Sequence, residues 1–201
     1  MLPNQNRFIL GLMAACAMTA VALAMVSDAL AVGPRLVADA FTATTANMTP
    51  SGLGLRIQIL EWQEADARAE VVATLAAGAD AATSLGKLPT VGYVWPERSP
   101  VGYSLKYAHR APQPDGSERI TLVTDKPLGS YDFKGWSVAS PAVKSDAPYS
   151  VIELDVNGSG TGSGNMSLVG EVALDEQAGT VTMNGPAPSL LTDVKREAGT
   201  H

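Results

Sequence analysis

Val101 to Asp125, VGYSLKYAHRAPQPDGSERITLVTD, is the stretch that decides the fold class. Side chains on a strand alternate faces, so Val101, Tyr103, Leu105, Tyr107 and His109 fall on one side of the first arm. Gly102, Ser104, Lys106, Ala108 and Arg110 fall on the other. The Tyr/Leu side is the predicted core face. In the second arm Ile120 and Leu122 face one way, and Arg119, Thr121 and Asp125 the other, with Val123 an apolar exception on the polar side. Pro112, Pro114, Asp115 and Gly116 supply turn chemistry between the arms, which makes the stretch a β-hairpin.

Working outward, Arg35 to Met48 is predicted as an edge strand. Leu53, Leu55, Ile57 and Ile59 alternate with Gly54, Arg56 and Gln58 as a second strand, and Leu60 and Trp62 add apolar weight to its other face. From Glu64 to Ala77 the period becomes helical, with Gly78 as the stop. Asp80 to Leu85 forms a short second helix ended by Gly86, and Pro89 returns the chain to extended structure. Such an alanine-rich pair between strands is predicted to cover a barrel end or a sheet face. Thr90 to Trp95 is a short strand before the opening hairpin, and Lys126 to Pro148 is a long aromatic-bearing connection. Tyr149 to Val156, Asn165 to Leu174, Thr180 to Asn184 and Leu190 to Lys195 complete the strands. The hairpin loops between them are Asn157 to Gly164 and Asp175 to Gly179. The fold class is therefore mainly β, an antiparallel β-barrel or β-sandwich of about eight or nine strands with one α-helical insertion near residues 64–86.

The amino terminus carries an address. A polar start holding Arg7 precedes the uncharged apolar run Phe8 to Val26 and an Ala29-Leu30-Ala31 cleavage pattern, which is the layout of a secretory signal peptide over residues 1–31. Residues 32–201 then form one β-rich domain, exported to the periplasm or secreted. The alternative is an inner-membrane anchor through residues 8–26, since the run approaches the length of a spanning helix. Cys16, the only cysteine, follows Ala14 and Ala15 as in a lipidation site, but Met13 stands where leucine is usual. Removal of Cys16 leaves no thiol for disulfides, nucleophilic chemistry or metal binding. A net charge of −6 without a Lys/Arg stripe argues against nucleic-acid and anionic-lipid partners.

Several strings match a pattern beyond composition: FTATTANM followed by LRIQILEW, then SLKYA, TDKPLG, YSVIELDVNGSGTGSGNMSL and LLTDVKRE. Across about Phe41 to Glu197 the chain resembles a family of uncharacterised exported bacterial proteins. The resemblance implies a bacterial origin and one exported domain, and it carries no activity, ligand or catalytic residue. The chain departs from the pattern at Gln63, where a serine helix cap is usual, and in the prolines of Tyr131 to Pro148.

Few residues suggest chemistry. His109 is the only internal histidine and the catalytic candidate, because imidazole titrates near neutral pH. Its parity places it beside Tyr107 and Tyr103 on the predicted core face. Tyr93, Trp95, Tyr103 and Tyr107, with Trp62, are the ligand-binding candidates, as aromatics that could line a barrel mouth. Asp155, Asn157 and the following glycines imitate a calcium loop, but Met166 stands where its closing glutamate belongs, and a hairpin turn is the expectation. With His201 terminal, no multi-histidine zinc set and no cofactor motif are expected. The sequence thus points to a non-enzymatic exported β-domain binding a small ligand or an envelope protein. The alternatives are an envelope hydrolase using His109 with Asp115 or Glu118, and a membrane-tethered assembly subunit.

Overall fold

The structure is a computed structural model, and it describes residues 37–46, 48–49, 52–97, 99–128, 137–138, 148–167, 171–184 and 189–198. The predicted signal segment, Cys16, the aromatics Tyr131, Phe133 and Trp136 of the long connection, and His201 lie outside these. In chain order the elements are β1 (Asp39–Thr45), β2 (Met48–Thr49), β3 (Gly54–Ile59), α1 (Ala65–Ala76), α2 (Ala81–Lys87), β4 (Gly92–Pro96), β5 (Tyr103–Pro112) and β6 (Glu118–Thr124). There follow β7 (Ser137–Val138), β8 (Val151–Val156), β9 (Thr161–Met166), β10 (Glu171–Asp175), β11 (Thr180–Asn184) and β12 (Ser189–Arg196).

Eight of the strands close into an antiparallel barrel in the order β1-β12-β9-β8-β6-β5-β4-β3. Each barrel strand pairs with the barrel strands before and after it in the chain, so the path is up-and-down, and β12 closes the ring onto β1. The choice between barrel and sandwich is settled as a barrel. Outside it stand two small sheets, β10-β11 and β2-β7.

The opening hairpin forms as read, with β5 on β6 from Leu105↔Thr124 to Pro112↔Glu118. Its alternation does not hold throughout, however. The register shifts between Leu105 and Tyr107, so β5 carries one residue more than β6 at that point. Such a bulge puts Lys106 and Tyr107 on the same side and inverts the parity beyond it. Tyr103 and Leu105 face the barrel interior, Tyr107 and His109 face outward, and Ala108 turns in to join the interior cluster. The prediction that His109 shares a core face with Tyr103 is therefore corrected. Local alternation could not reveal the break, which lies in the pairing with β6.

The bulge leaves the Lys106 carbonyl and the Ala108 N–H facing away from β6, past the end of β4. Gln63 supplies the missing partner. Its amide Nε2 donates to the Lys106 carbonyl at 3.2 Å, its Oε1 accepts from Ala108 N–H at 2.9 Å, and its own N–H donates to the Ala108 carbonyl at 3.1 Å. Gln63 thus acts as a strand substitute; the residue at the helix cap is Glu64, whose side chain makes no cap bond.

Inside the barrel, Phe41, Leu55, Ile57, Ile59, Tyr103, Leu105, Ile120, Leu122, Ile152 and Leu154 pack as one fully buried cluster. Apolar residues point inward, the reverse of a lipid-embedded barrel with its apolar band outside. Among the described residues no helix is long and apolar enough to cross a membrane. Three interior-facing positions are glycine because nothing larger fits. A Cβ on Gly162 would stand 1.8 Å from the Asp155 carbonyl oxygen, one on Gly164 2.4 Å from that of Glu153, and one on Gly92 2.4 Å from that of Gln58. The predicted loop Asn157 to Gly164 is accordingly corrected: only its first half turns, and Thr161 onward is strand β9. Glycine, usually poor in strands, marks the close approach of backbones at a barrel corner.

Other boundaries shift for local reasons. The segment predicted as an edge strand is β1, paired on both sides with β3 and β12. The predicted strand Asn165 to Leu174 divides between β9 in the barrel and β10 outside it. Helix α1 ends as expected, with Gly78 left-handed at φ +66°. Helix α2 runs through Gly86 to Lys87 and stops because Leu88, preceding Pro89, must be extended.

The helices cover a wall of the barrel, not an end. Val71, Val72 and Leu75 of α1, Ala81 and Leu85 of α2, and Val181 of β11 bury Tyr107, Val123 and Val151 on the outside of β5, β6 and β8. This explains Val123, the apolar residue on the hairpin's polar side.

Candidate functional site

The candidate residues separate once the barrel closes. Tyr103 is fully buried in the interior, and Tyr107 is fully buried on the covered wall. Tyr93 and Trp95 stand on the outer wall of β4, where Tyr93 pairs in register with Gln58 and Trp95 with Arg56. These four therefore line no common cavity. Trp62 alone packs at the barrel end, against the interior cluster, with the Arg110 guanidinium 5.2 Å from its ring.

His109 lies two residues past Tyr107 on the same face, its ring edge-on to the tyrosine at 6.2 Å. Burial, reinforced by the Arg68 guanidinium from α1, holds its pKa below the ordinary 6.5. Its proposed carboxylate partners are elsewhere. Glu118 points into the barrel end, on the opposite face of the sheet, and binds Arg196. Asp115 sits in the β5–β6 loop, accepting from Ser117 N–H at 2.9 Å and from the Ser117 hydroxyl at 2.6 Å; the hydroxyl, then the N–H, holds its carboxyl below its ordinary value. The structure does not bring His109, Asp115 and Glu118 together. Among the described residues no three His, Cys, Asp or Glu are placed to hold a metal ion.

The end of the barrel near that loop carries a charge cluster that strand periodicity does not reveal. Arg196 on β12 faces inward, its guanidinium 5.1 Å from the Phe41 ring. It pairs with Asp39 of β1 at 3.2 Å and reaches Glu118 of β6 at 2.5 Å, so one side chain spans the mouth. Burial raises the Asp39 carboxyl above its ordinary pKa although Arg196 pulls it down. Beside the mouth, a shallow groove of about 440 Å³ is bordered by Gln113, Asp115, Ser117, Arg119 and Asp155. Its charges are already engaged, with Arg119 on Asp155 at 2.8 Å. The calcium-like loop is a turn: Asn157 Oδ1 accepts from Ser159 N–H at 2.9 Å and from its hydroxyl at 2.6 Å.

Comparison with protein-family models, curated proteins and solved structures gives no match.

The wall built by β1, β3 and β4 is the one with the composition of a contact surface. Its outward positions are Ala40, Thr42, Thr44, Gly54, Arg56, Gln58, Tyr93 and Trp95, from the alternation and register of the strands. Tyr93 is 40% exposed, among the few large apolar side chains open to solvent. Trp95 is half-buried, with Gly102 close against its ring and the Arg56 guanidinium 5.4 Å from its centre. Arg56 is the only charge on these positions, in a chain of net charge −6.

Proposed function

We propose that this chain is an exported, non-enzymatic β-barrel domain that binds an envelope protein through the wall of β1, β3 and β4. The observation that carries the reading is the Tyr93, Trp95 and Arg56 group, which joins an exposed tyrosine to a tryptophan held in place by an arginine. Tyrosine, tryptophan and arginine are the residues in which interface energy concentrates, because they offer large rigid area at small entropic cost. The filled interior supports the same reading, since side chains occupy the space in which a ligand-carrying barrel holds its ligand. Arg56 is the single charge on the outward strand positions, with the Glu97 carboxylate lying over Gly54 at the edge of the wall, and it offers its guanidinium to a carboxylate of the partner. Export rests on residues 1–31, and bacterial origin on the family resemblance.

The test places a photo-crosslinking residue at Tyr93, and at Glu70 of α1 as a control, in the full chain expressed in a bacterial host. The expected result is one discrete protein adduct from position 93, absent from position 70 and weakened by Arg56→Glu. Equal labelling at both positions, or indifference to Arg56→Glu, overturns the docking face. Mass spectrometry of the chain's own amino terminus tests the address: a start after Ala31 supports export of a free domain, and retention of residues 8–26 supports the tethered alternative.

A further inference from the structure

The covered wall is where ionisable groups lie beneath an element that the barrel does not hold by strand pairing. Among the described residues hairpin β10–β11 pairs with no barrel strand. Val181 anchors it, buried among Tyr107, Val123 and Val151. Two polar tethers assist: Tyr107 Oη donates to the Gly179 carbonyl at 2.7 Å, and Met183 N–H donates to Glu153 Oε1 at 3.1 Å. The turn also lies close to α1, since a Cβ on Gly179 would meet Ala69 N at 3.3 Å and Arg68 Cβ at 3.4 Å.

The charged and titratable groups here come from every element around the hairpin. β5 gives Lys106, Tyr107 and His109; α1 gives Arg68, with Asp66 and Glu70 exposed on the same helix; the buried Tyr149, whose phenol pKa burial raises, precedes β8; β8 gives Glu153; and the Arg119–Asp155 pair joins β6 and β8 just beyond. Lys106 is committed to the Leu88 carbonyl at 2.8 Å and the Thr90 hydroxyl at 3.1 Å. In the hairpin, Asp175 binds its own turn through Gln177 and Ala178 N–H, and Glu176 is exposed. His109, Thr121 and Glu153 stand in one register row across β5, β6 and β8. Arg68 donates to the Gln63 carbonyl at 3.2 Å, and its Nε is buried with no hydrogen-bond partner among the described residues. Among the described residues neither Arg68 nor His109 forms an ion pair.

We propose that hairpin β10–β11 and the first turn of α1 form an acid-released strap over this wall, opened by protonation of His109 beside Arg68 and held against opening by Glu153. An imidazolium there is a second cation beside a half-buried guanidinium, with no carboxylate bonded to either. Opening solvates both and uncovers the apolar strip Tyr107, Val123 and Val151.

The signs follow from linkage. Burial, then Arg68, lowers the His109 pKa, so the closed strap binds fewer protons than the open one, and closure is lost as pH falls through the window below 6.5. Burial raises the Glu153 carboxyl, so the closed strap binds more protons there, and closure gains as pH falls through the window above 4.5. The two residues therefore oppose each other, and removing either exposes the response of the other.

Hydrogen exchange of residues 171–184 in the full chain, corrected for intrinsic rates and compared at pH about 7.5 and about 5.5, reads the strap directly. Protection of these residues falls at the lower pH in the unmodified chain, stays level or rises in His109→Gln, and falls several-fold further in Glu153→Gln. NMR titration of the unmodified chain places the His109 midpoint below 6.5 whether or not the variants fold. An equal pH response in the unmodified chain and His109→Gln overturns the proposal. A His109 midpoint at or above 6.5, or an equal loss of protection throughout the barrel strands, does so as well.

Discussion

The side-chain amide of Gln63 lies against the backbone of Ala108 as a neighbouring strand would, accepting its N–H at 2.9 Å while the two backbones bond at 3.1 Å. Strand β5 bulges at Lys106 and then outruns β4, and this one residue satisfies the groups left over. Gln63→Ala leaves the N–H of the fully buried Ala108 without its acceptor and should cost about 1–3 kcal/mol, measured by chemical denaturation. Gln63→Glu keeps the acceptor but sets a carboxylate against the Lys106 carbonyl, and should recover only part of that loss.

Strand β9 should tolerate no side chain at Gly162. A Cβ 1.8 Å from the Asp155 carbonyl oxygen requires β8 and β9 to separate, so Gly162→Ala should destabilise by about 3 kcal/mol or more, or abolish folding. Gly158, in the adjoining turn, has its nearest neighbour at 4.0 Å, and Gly158→Ala should stay within about 0.5 kcal/mol of the unmodified chain. Thermal unfolding of the pair separates a requirement for space from a general preference for glycine.

Arg196→Met should leave Asp39 and Glu118 facing each other across the barrel mouth without their shared cation. The Asp39 carboxyl, already raised by burial, should then titrate higher still, as NMR can follow. A carboxyl raised in the folded state binds more protons there than in the unfolded chain, so stability is lost as pH rises through the window above 3.8. The variant should therefore be weakest at neutral pH and regain stability on acidification.

Tyr107 makes the corresponding prediction at alkaline pH. Burial pushes its phenol from 10.0 up to about 12, so the folded chain retains a proton that the unfolded chain releases, and stability declines as pH rises above 10.0. Tyr107→Phe removes this component of the alkaline decline. It also strips the Gly179 carbonyl of its donor, at a cost of about 1–3 kcal/mol at neutral pH. Denaturation measured across the alkaline range separates the two effects.

The sequence made most strands legible because half-buried strands alternate, as β3 and β8 do and as β5 does up to Leu105. It hid features that depend on pairing with distant partners. The bulge at Lys106 exists only relative to β6, so counting along β5 carried His109 to the wrong face. Thr161 to Gly164 read as a loop because glycine and serine are poor strand formers; the need for glycine arises from the close backbone of β8. Asp39, Arg110, Glu118 and Arg196 are scattered along the chain and meet only when the ends of the strands form a rim. Tyr93 and Trp95 were visible as aromatics, but their place on the bare wall follows from the register with β3.

Strand β12 is the last of the eight barrel strands along the chain, yet it sits between β1 and β9, the first and seventh. Until Ser189–Arg196 is in place, the sheet has two raw edges that invite pairing with other chains. Its contacts with β1 also span most of the chain, which makes closure the slowest kind of pairing to find. A growing chain therefore cannot shut its barrel before its final link is made, and truncation within β12 leaves a sheet prepared to recruit a stranger's strand.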